Sequence, residues 1–202
     1  MHLDVLNGDQ KRLLPLIAMF SPQFGLVGGT AIALHLGHRR SIDFDLFTPE
    51  TFNVEHIRSQ IRKTTKITHV FIQGENELTI LVNQVKLTFY RFPHPIEFTE
   101  DLPNTIRLPN LLTLGAMKAF ALGKRAKWKD YVDLFFLLKQ FPLTEIINKA
   151  NKLFGPEFNE KLFRVQLSYF KDIDYSEEVL YTPGYETNQT EIGKFLEEAS
   201  LN

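Results

Sequence analysis

The chain has 202 residues, 44% of them hydrophobic and 23% charged, with 24 acidic against 23 basic side chains and a formal net charge of -1. That is enough for one domain with a sizeable core, or a domain with a helical extension, and the near-neutral balance gives no overall pull toward nucleic acid or an anionic membrane. Cysteine is absent, which excludes a disulfide framework, a thiolate metal site and a cysteine nucleophile together.

The N-terminal MHLDVLNGDQKRLLPLIAMF lacks the basic start and long apolar run of a signal peptide, and no window approaches the roughly 18 apolar residues of a membrane span. A cytoplasmic protein with no membrane partner is the expectation. Leu13, Leu14, Ile17 and Ala18 recur at helical spacing after Asn7 and Asp9, either of which suits a cap, so a helix is expected over 9–20. FGLVGG then reads as a short strand, Thr30 to Leu36 as a helix, and SIDFDLF as an alternating strand. Asn53 suits the cap of a helix running to about Lys63.

Three β-rich runs follow, ITHVFIQ, ELTILVN and VKLTFYRF, parted by GEN and by Asn83-Gln84, and they read as a meander. Pro93, Pro95, Pro103 and Pro109 mark the next stretch as an irregular connector. Beyond it the pattern is helical over 110–123, 128–140, 144–154, 156–170 and 189–199. The expected organisation is an α/β (α+β) region over 1–108 with a mixed sheet, followed by a helical region over 109–202 packed on it.

The informative stretch is GGTAIALHLGHRRSIDFDLF, residues 28–47. Side chains alternate across a strand, so Ser41, Asp43 and Asp45 are expected on one face and Ile42, Phe44 and Leu46 in the core. The two carboxylates would then lie roughly 6–7 Å apart along the strand and repel unless a cation joins them. Mg²⁺ suits such a pair, because it takes oxygen ligands from one or two carboxylates and from substrate phosphates. Gly28 and Gly29 ahead of a helix add a place where phosphate meets free backbone N–H groups. The plainer readings are a solvated face on an edge strand and a tight turn.

Taken together, LVGGTAIALHLGHRRSIDFDLF resembles the active-site signature of the nucleotidyltransferase superfamily, specifically the AbiEii/AbiGii toxin group. LLTLGAMKAFALGKRAKWKDYVDLFFLL is similar to that group's downstream motif, with Lys118 at its lysine, Asp130 at its acid and Asp133 at a second acidic position. The resemblance spans residues 24 to 140. It implies a minimal nucleotidyltransferase-like mixed sheet with flanking helices, followed by a C-terminal helical bundle. It also implies Mg²⁺ or Mn²⁺ on Asp43 and Asp45, with nucleoside triphosphate as substrate. Gly28, Gly29, Thr30, Ser41 and Lys118 would bind the nucleotide. Asp43, Asp45, Lys118 and Asp130 would serve the chemistry. The implied acceptor is an RNA such as tRNA, or a protein, and the implied partner is a cognate antitoxin in a toxin-antitoxin or phage-defence setting.

Independently of the family, Lys118 suits triphosphate oxygens as a point charge, and Asp130 suits orienting that lysine, taking a proton or aiding a metal. The alternative for Asp130 is a helix-start acid favoured by the dipole, and for Lys124, Arg125, Lys127 and Lys129 a solvated turn. His38, Arg39 and Arg40 suit either a phosphate contact or a surface loop. The pattern departs from many nucleotidyltransferases at the third carboxylate, where VKLTFYRF offers Lys86 or Thr88. A catalytically degenerate nucleotide-binding module acting through a partner is therefore the alternative to an active transferase. In a purely structural domain, by contrast, Asp43 and Asp45 would have no ligand to hold.

Overall fold

The structure, a computed structural model, describes residues 1–201. After a 3-10 turn at Leu3–Val5, helix α1 (Gly8–Ala18) starts from Asn7. The Asn7 side chain accepts from the Gln10 amide while the Gln10 side chain accepts from the Asn7 amide, so two orphan donors are satisfied reciprocally. Strand β1 (Gly25–Val27) leads directly into α2 (Gly28–Leu36), so that helix begins two residues before the expected start. Strand β2 (Phe44–Thr48) follows, then α3 (Val54–Thr64), whose cap Asn53 accepts from the His56 amide at 2.9 Å.

The expected meander is present as β3 (Ile67–Gln73), β4 (Glu77–Val82) and β5 (Val85–Arg91), paired antiparallel. Asn83 and Gln84 both take positive φ, which matches the tight two-residue hairpin between β4 and β5. The sheet order is β1-β2-β5-β4-β3, with β2 and β5 parallel and the other neighbours antiparallel. Phe44, Leu46, Leu78, Ile80, Val82, Leu87 and Phe89 are buried. They join one core with Leu13, Leu16 and Ile17 of α1 and Ile57 and Ile61 of α3, and Phe20 meets Phe89 edge-on at 4.9 Å between ring centroids.

The opposite face of the β2/β5 pair carries Asp45 across from Thr88, which places the acids on a surface the core does not fill. Two expectations need correction. Strand β2 starts at Phe44, not Ser41, and Ile42 is 49% exposed, not in the core. Sheet pairing begins only at Val27 with Asp45 and at Leu87 with Phe44, so nothing enforces strand alternation at Ile42. The proline-rich connector also contains a small ribbon, β6 (Glu100–Leu102) with β7 (Ile106–Leu108), turned at Asn104 with φ 57. Its Leu102, Ile106 and Leu108 are buried, and that burial fixes the ribbon against the disfavour of nearby prolines.

Helices α4 (Leu111–Leu122), α5 (Trp128–Leu138), α6 (Leu143–Phe154), α7 (Glu160–Leu167) and α8 (Gln189–Leu201) complete the chain. The helix expected over 156–170 is shorter, because a 3-10 turn at Gly155–Glu157 precedes α7. Helix α2 touches β1, β2, α4 and α5, so it is the junction between the sheet and the later helices. Between α7 and α8 the chain runs back as an irregular strap. The Arg40 amide donates to the Leu180 carbonyl at 2.8 Å, and the Trp128 amide to the Asp174 carbonyl at 3.0 Å.

Leu46 inside β2 and Ile42 ahead of it differ testably. Leu46→Ala should cost about 2–5 kcal/mol by opening a cavity, whereas Ile42→Ser should stay within about 0.5 kcal/mol. Urea denaturation of both variants measures this, and equal losses would place Ile42 in the core after all.

Candidate functional site

The site starts where β1 becomes α2. Gly28 has φ +74, and a Cβ there would lie 2.2 Å from Asp45 Oδ2. Glycine is therefore required twice, by the backbone and by the carboxylate that presses on it. At Gly29 a Cβ would lie 2.6 Å from Arg39 Nη2 and 3.4 Å from Ser41 Oγ. The glycine pair thus lets two charged side chains reach the first turn of α2. Among the described residues no side chain caps that helix, so its free N–H groups and the positive end of its dipole sit beside Asp45.

Thr30 is buried and donates its hydroxyl to the Asp43 carbonyl, while Ser41 Oγ lies 2.9 Å from Thr30 Oγ1. A threonine hydroxyl has one proton, so Ser41 donates in that second bond. Thr30 and Ser41 accordingly tie α2 to the entry of β2.

Asp43 Oδ2 is 2.8 Å from Lys86 Nζ, on the neighbouring β5. The Asp45 carboxylate has no hydrogen bond or ion pair among the described residues, and burial followed by the charge of Asp43 pushes it above the usual range, against the pull of Lys86, Arg125 and Lys118. An acid kept in this condition costs stability at neutral pH, and a bound cation would offset that cost.

Behind the acids lies a buried ion cluster centred on Asp133 of α5. Asp133 is fully buried and accepts from Arg39 Nε at 2.7 Å and Arg39 Nη2 at 2.8 Å, a two-bond fork. His38 Nε2 lies 2.8 Å from the same carboxylate and Lys118 Nζ 2.9 Å from it. Lys118 also reaches Asp130 at 2.7 Å, and Arg125 Nε closes on Asp130 at 3.1 Å. The expectation of His38 and Arg39 as a phosphate contact or surface loop is corrected: both are buried against Asp133, and only Arg40 is exposed.

Burial opposes every charge in this cluster, and the pairing decides the outcome. Burial would raise the Asp133 carboxyl, but Arg39, Lys118 and the bonds from His38 and Arg39 hold it well below the usual range. Burial would likewise raise Asp130, yet Lys118 and Arg125 hold it low. Lys118 loses some charge preference to burial and regains more from Asp130 and Asp133, so its ammonium persists. Burial lowers His38 despite Asp133, so the imidazole is neutral, with Nε2–H donating to Asp133 and Nδ1 unpartnered.

The turn after α4 is solvent-facing at Lys124 and Arg125, as a solvated turn would be, and its basic side chains are also paired. Glu177 of the strap binds Lys127 Nζ at 2.5 Å and Lys129 Nζ at 3.0 Å, and Lys124 stands 4.0 Å over the Phe120 ring. The bond from Lys127 leads the shift that brings the Glu177 carboxyl down to about 2, with Lys129 adding to it against burial. Gly28, Gly29, Thr30, Ser41, Asp43, Asp45, Lys118 and Asp130 thus gather on and behind the α2 start. Arg39, Asp133 and Lys86 join them, which the sequence marked only as a phosphate-contact or surface residue, a second acidic position and the occupant of a third-carboxylate place, and Glu177 joins them without having been singled out. The HRRS run and the second acid after Asp130 were visible signals for the first pair, whereas Glu177 arrives from a distant segment that no local pattern marks.

Residues 17–199 match the family described as nucleotidyl transferase AbiEii toxin, type IV TA system. The uncharacterised protein aq_aa25 of Aquifex aeolicus is 31% identical over 156 residues, covering 74% of each chain. Among solved structures, a candidate nucleotidyltransferase of Helicobacter pylori superposes with TM-score 0.61 at 17% identity, covering 96% of this chain and 92% of that one. MenT4, a nucleotidyltransferase toxin of Mycobacterium tuberculosis H37Rv, superposes with TM-score 0.58 at 13% identity over 95% and 81%. These two likenesses show a shared fold.

The Asp133 cluster gives a stability prediction with a definite sign. A depressed folded pKa contributes stability above the usual aspartate value of 3.8, and that contribution is lost as pH falls through the lower folded value. Asp133→Asn should therefore cost about 3–5 kcal/mol at pH 7, and the deficit should shrink below pH 3.8. Urea denaturation of both proteins at pH 7, 5 and 3 checks it, and a deficit independent of pH would refute the assignment.

Proposed function

The chain belongs to the AbiEii nucleotidyl transferase toxin family and is a nucleotidyltransferase, and from that premise we propose that it transfers a nucleoside monophosphate from a triphosphate to a hydroxyl acceptor at the junction of α2 and β2. The observation that carries the reading is Asp45, an unpartnered carboxylate pressed on a side-chain-free helix start with Asp43 beside it. Negative charge and bare N–H groups side by side suit a cation and a phosphate bound together.

The residues fit a hard divalent ion, Mg²⁺ or Mn²⁺: the available donors are carboxylate oxygens, and Gly28 leaves the Asp45 carboxylate open space that a Cβ would fill. Asp43 and Asp45 would hold it, and when bound it would neutralise triphosphate charge and polarise the attacked phosphorus. Gly28 and Gly29 keep side chains away from the phosphates, and the first N–H groups of α2 receive them. Thr30 and Ser41 hold the Asp43 backbone in place beside that turn.

Lys118 is buried and held by two carboxylates, so its charge acts from behind the acids, and it is Asp130 that orients it. As a carboxylate held ionised by Lys118 and Arg125, Asp130 is a weak proton acceptor, which favours orientation over general-base action. In the transfer, the acceptor oxygen bonds the α-phosphorus, the bond to the bridging oxygen breaks, and pyrophosphate and a proton are released. RNA such as tRNA and protein are the acceptor classes, and family membership makes a cognate antitoxin the natural restraint.

The test is transfer of label from each α-³²P nucleoside triphosphate with Mg²⁺ onto total RNA and total protein. Asp45→Asn should cut labelling at least about 100-fold, while leaving stability equal or higher, because it removes a carboxylate the fold disfavours at neutral pH. Labelled RNA whose yield falls steeply with salt would identify a nucleic-acid acceptor. Mg²⁺-dependent nucleotide binding without any label would replace the transferase reading with the degenerate module, and undiminished labelling by Asp45→Asn would move the site elsewhere.

A further inference from the structure

Lys86 is the odd member of the acid row. Strands β2 and β5 run parallel with Asp45 opposite Thr88 and Phe44 opposite Leu87, so the residue before Leu87 reaches the residue before Phe44. That residue is Lys86, and its Nζ lies 2.8 Å from Asp43 Oδ2. Along β5, Lys86 and Thr88 alternate with buried Leu87 and Phe89, just as Asp45 lies between buried Phe44 and Leu46. A lysine and a threonine therefore occupy the two places from which a third carboxylate could join Asp43 and Asp45. Among the described residues no three His, Asp or Glu side chains gather as a metal cage.

Two ions that share an in-line displacement stand about 3.5–4 Å apart and need carboxylates in common. The Lys86 ammonium is already held on Asp43, the carboxylate that both ions would have to share. Counting charges, Asp43 and Asp45 with Lys86 sum to -1, which one divalent ion brings to +1 and a second to +3 before any phosphate arrives. Like charges that close, in a partly buried site, oppose the second ion strongly.

We propose that Lys86 takes the place of a second metal ion, so that the site accepts one divalent cation on Asp43 and Asp45 while the ammonium supplies the other positive charge. This rests on the reading of Asp43 and Asp45 as the cation site. Lys86 also competes with the bound ion for Asp43 Oδ2, which sets how tightly that ion is held. The residue is a positioning and charge-supplying group, and its partly exposed side chain makes its replacement a surface change the fold tolerates.

The test is Mn²⁺ binding without nucleotide, followed by electron paramagnetic resonance, in the wild type, Lys86→Arg, Lys86→Met, the double variant Lys86→Met/Thr88→Asp, and Asp43→Ala/Asp45→Ala. The wild type should bind one Mn²⁺ with a mononuclear spectrum, and Lys86→Arg should match it. Lys86→Met should bind Mn²⁺ roughly tenfold or more tightly, because the competing charge is gone. The double variant should take up two ions with an exchange-coupled spectrum. Two ions in the wild type, or equal affinity in Lys86→Met, would overturn the role of Lys86 while leaving the cation site standing. Mn²⁺ binding that survives in Asp43→Ala/Asp45→Ala, or that is absent from every variant, would overturn the cation site itself and this inference with it.

Discussion

The structure depends on one buried carboxylate. Asp133 gathers Arg39, His38 and Lys118, which come from the loop after α2 and from α4, onto the first turns of α5. A lone buried charge costs several kcal/mol, and its partners repay that only in good geometry, so breaking the Arg39 or Lys118 arm leaves charge poorly compensated. This pairing fixes the distance between the helical region and the α2–β2 junction. Arg39 in turn approaches Gly29 closely enough that only glycine fits there.

From that anchor the functional arrangement follows by proximity. Gly28 faces Asp45, Gly29 faces Arg39, and Thr30 binds the Asp43 carbonyl, so of three consecutive residues of α2 two fix the acid row and the one between them meets the Asp133 cluster. The positive side is graded by depth. Lys118 and Arg39 are buried and committed to carboxylates, Arg125 is half-exposed on Asp130, and Lys86 meets Asp43 at the surface. Glu177 on the strap adds a distant negative charge that binds Lys127 and Lys129 and is felt by Lys86 and Arg125.

Much of this was legible in the residues. The Asn7 and Asn53 caps, the three-strand meander and the placing of Asp45 on the face away from Phe44 and Leu46 all follow from local chemistry and alternation. Ile42 misled because alternation needs a paired neighbour, and pairing begins one residue beyond Asp43. The 100–108 ribbon was hidden because burial of Leu102, Ile106 and Leu108 outweighs the prolines around them. The burial of Arg39 and the capture of Lys127 by Glu177 join segments about 94 and 50 residues apart, and no period or motif spans such separations.

The account's central claim is that nucleotide and cation meet where the bare start of α2 abuts Asp45. Isothermal titration of a non-hydrolysable nucleoside triphosphate analogue into the wild type and Gly28→Ala, each with and without Mg²⁺, tests it most directly. Binding that requires Mg²⁺ in the wild type and is lost in Gly28→Ala, whose Cβ would displace the Asp45 carboxylate, is the expected result. Equal binding by both proteins would contradict it.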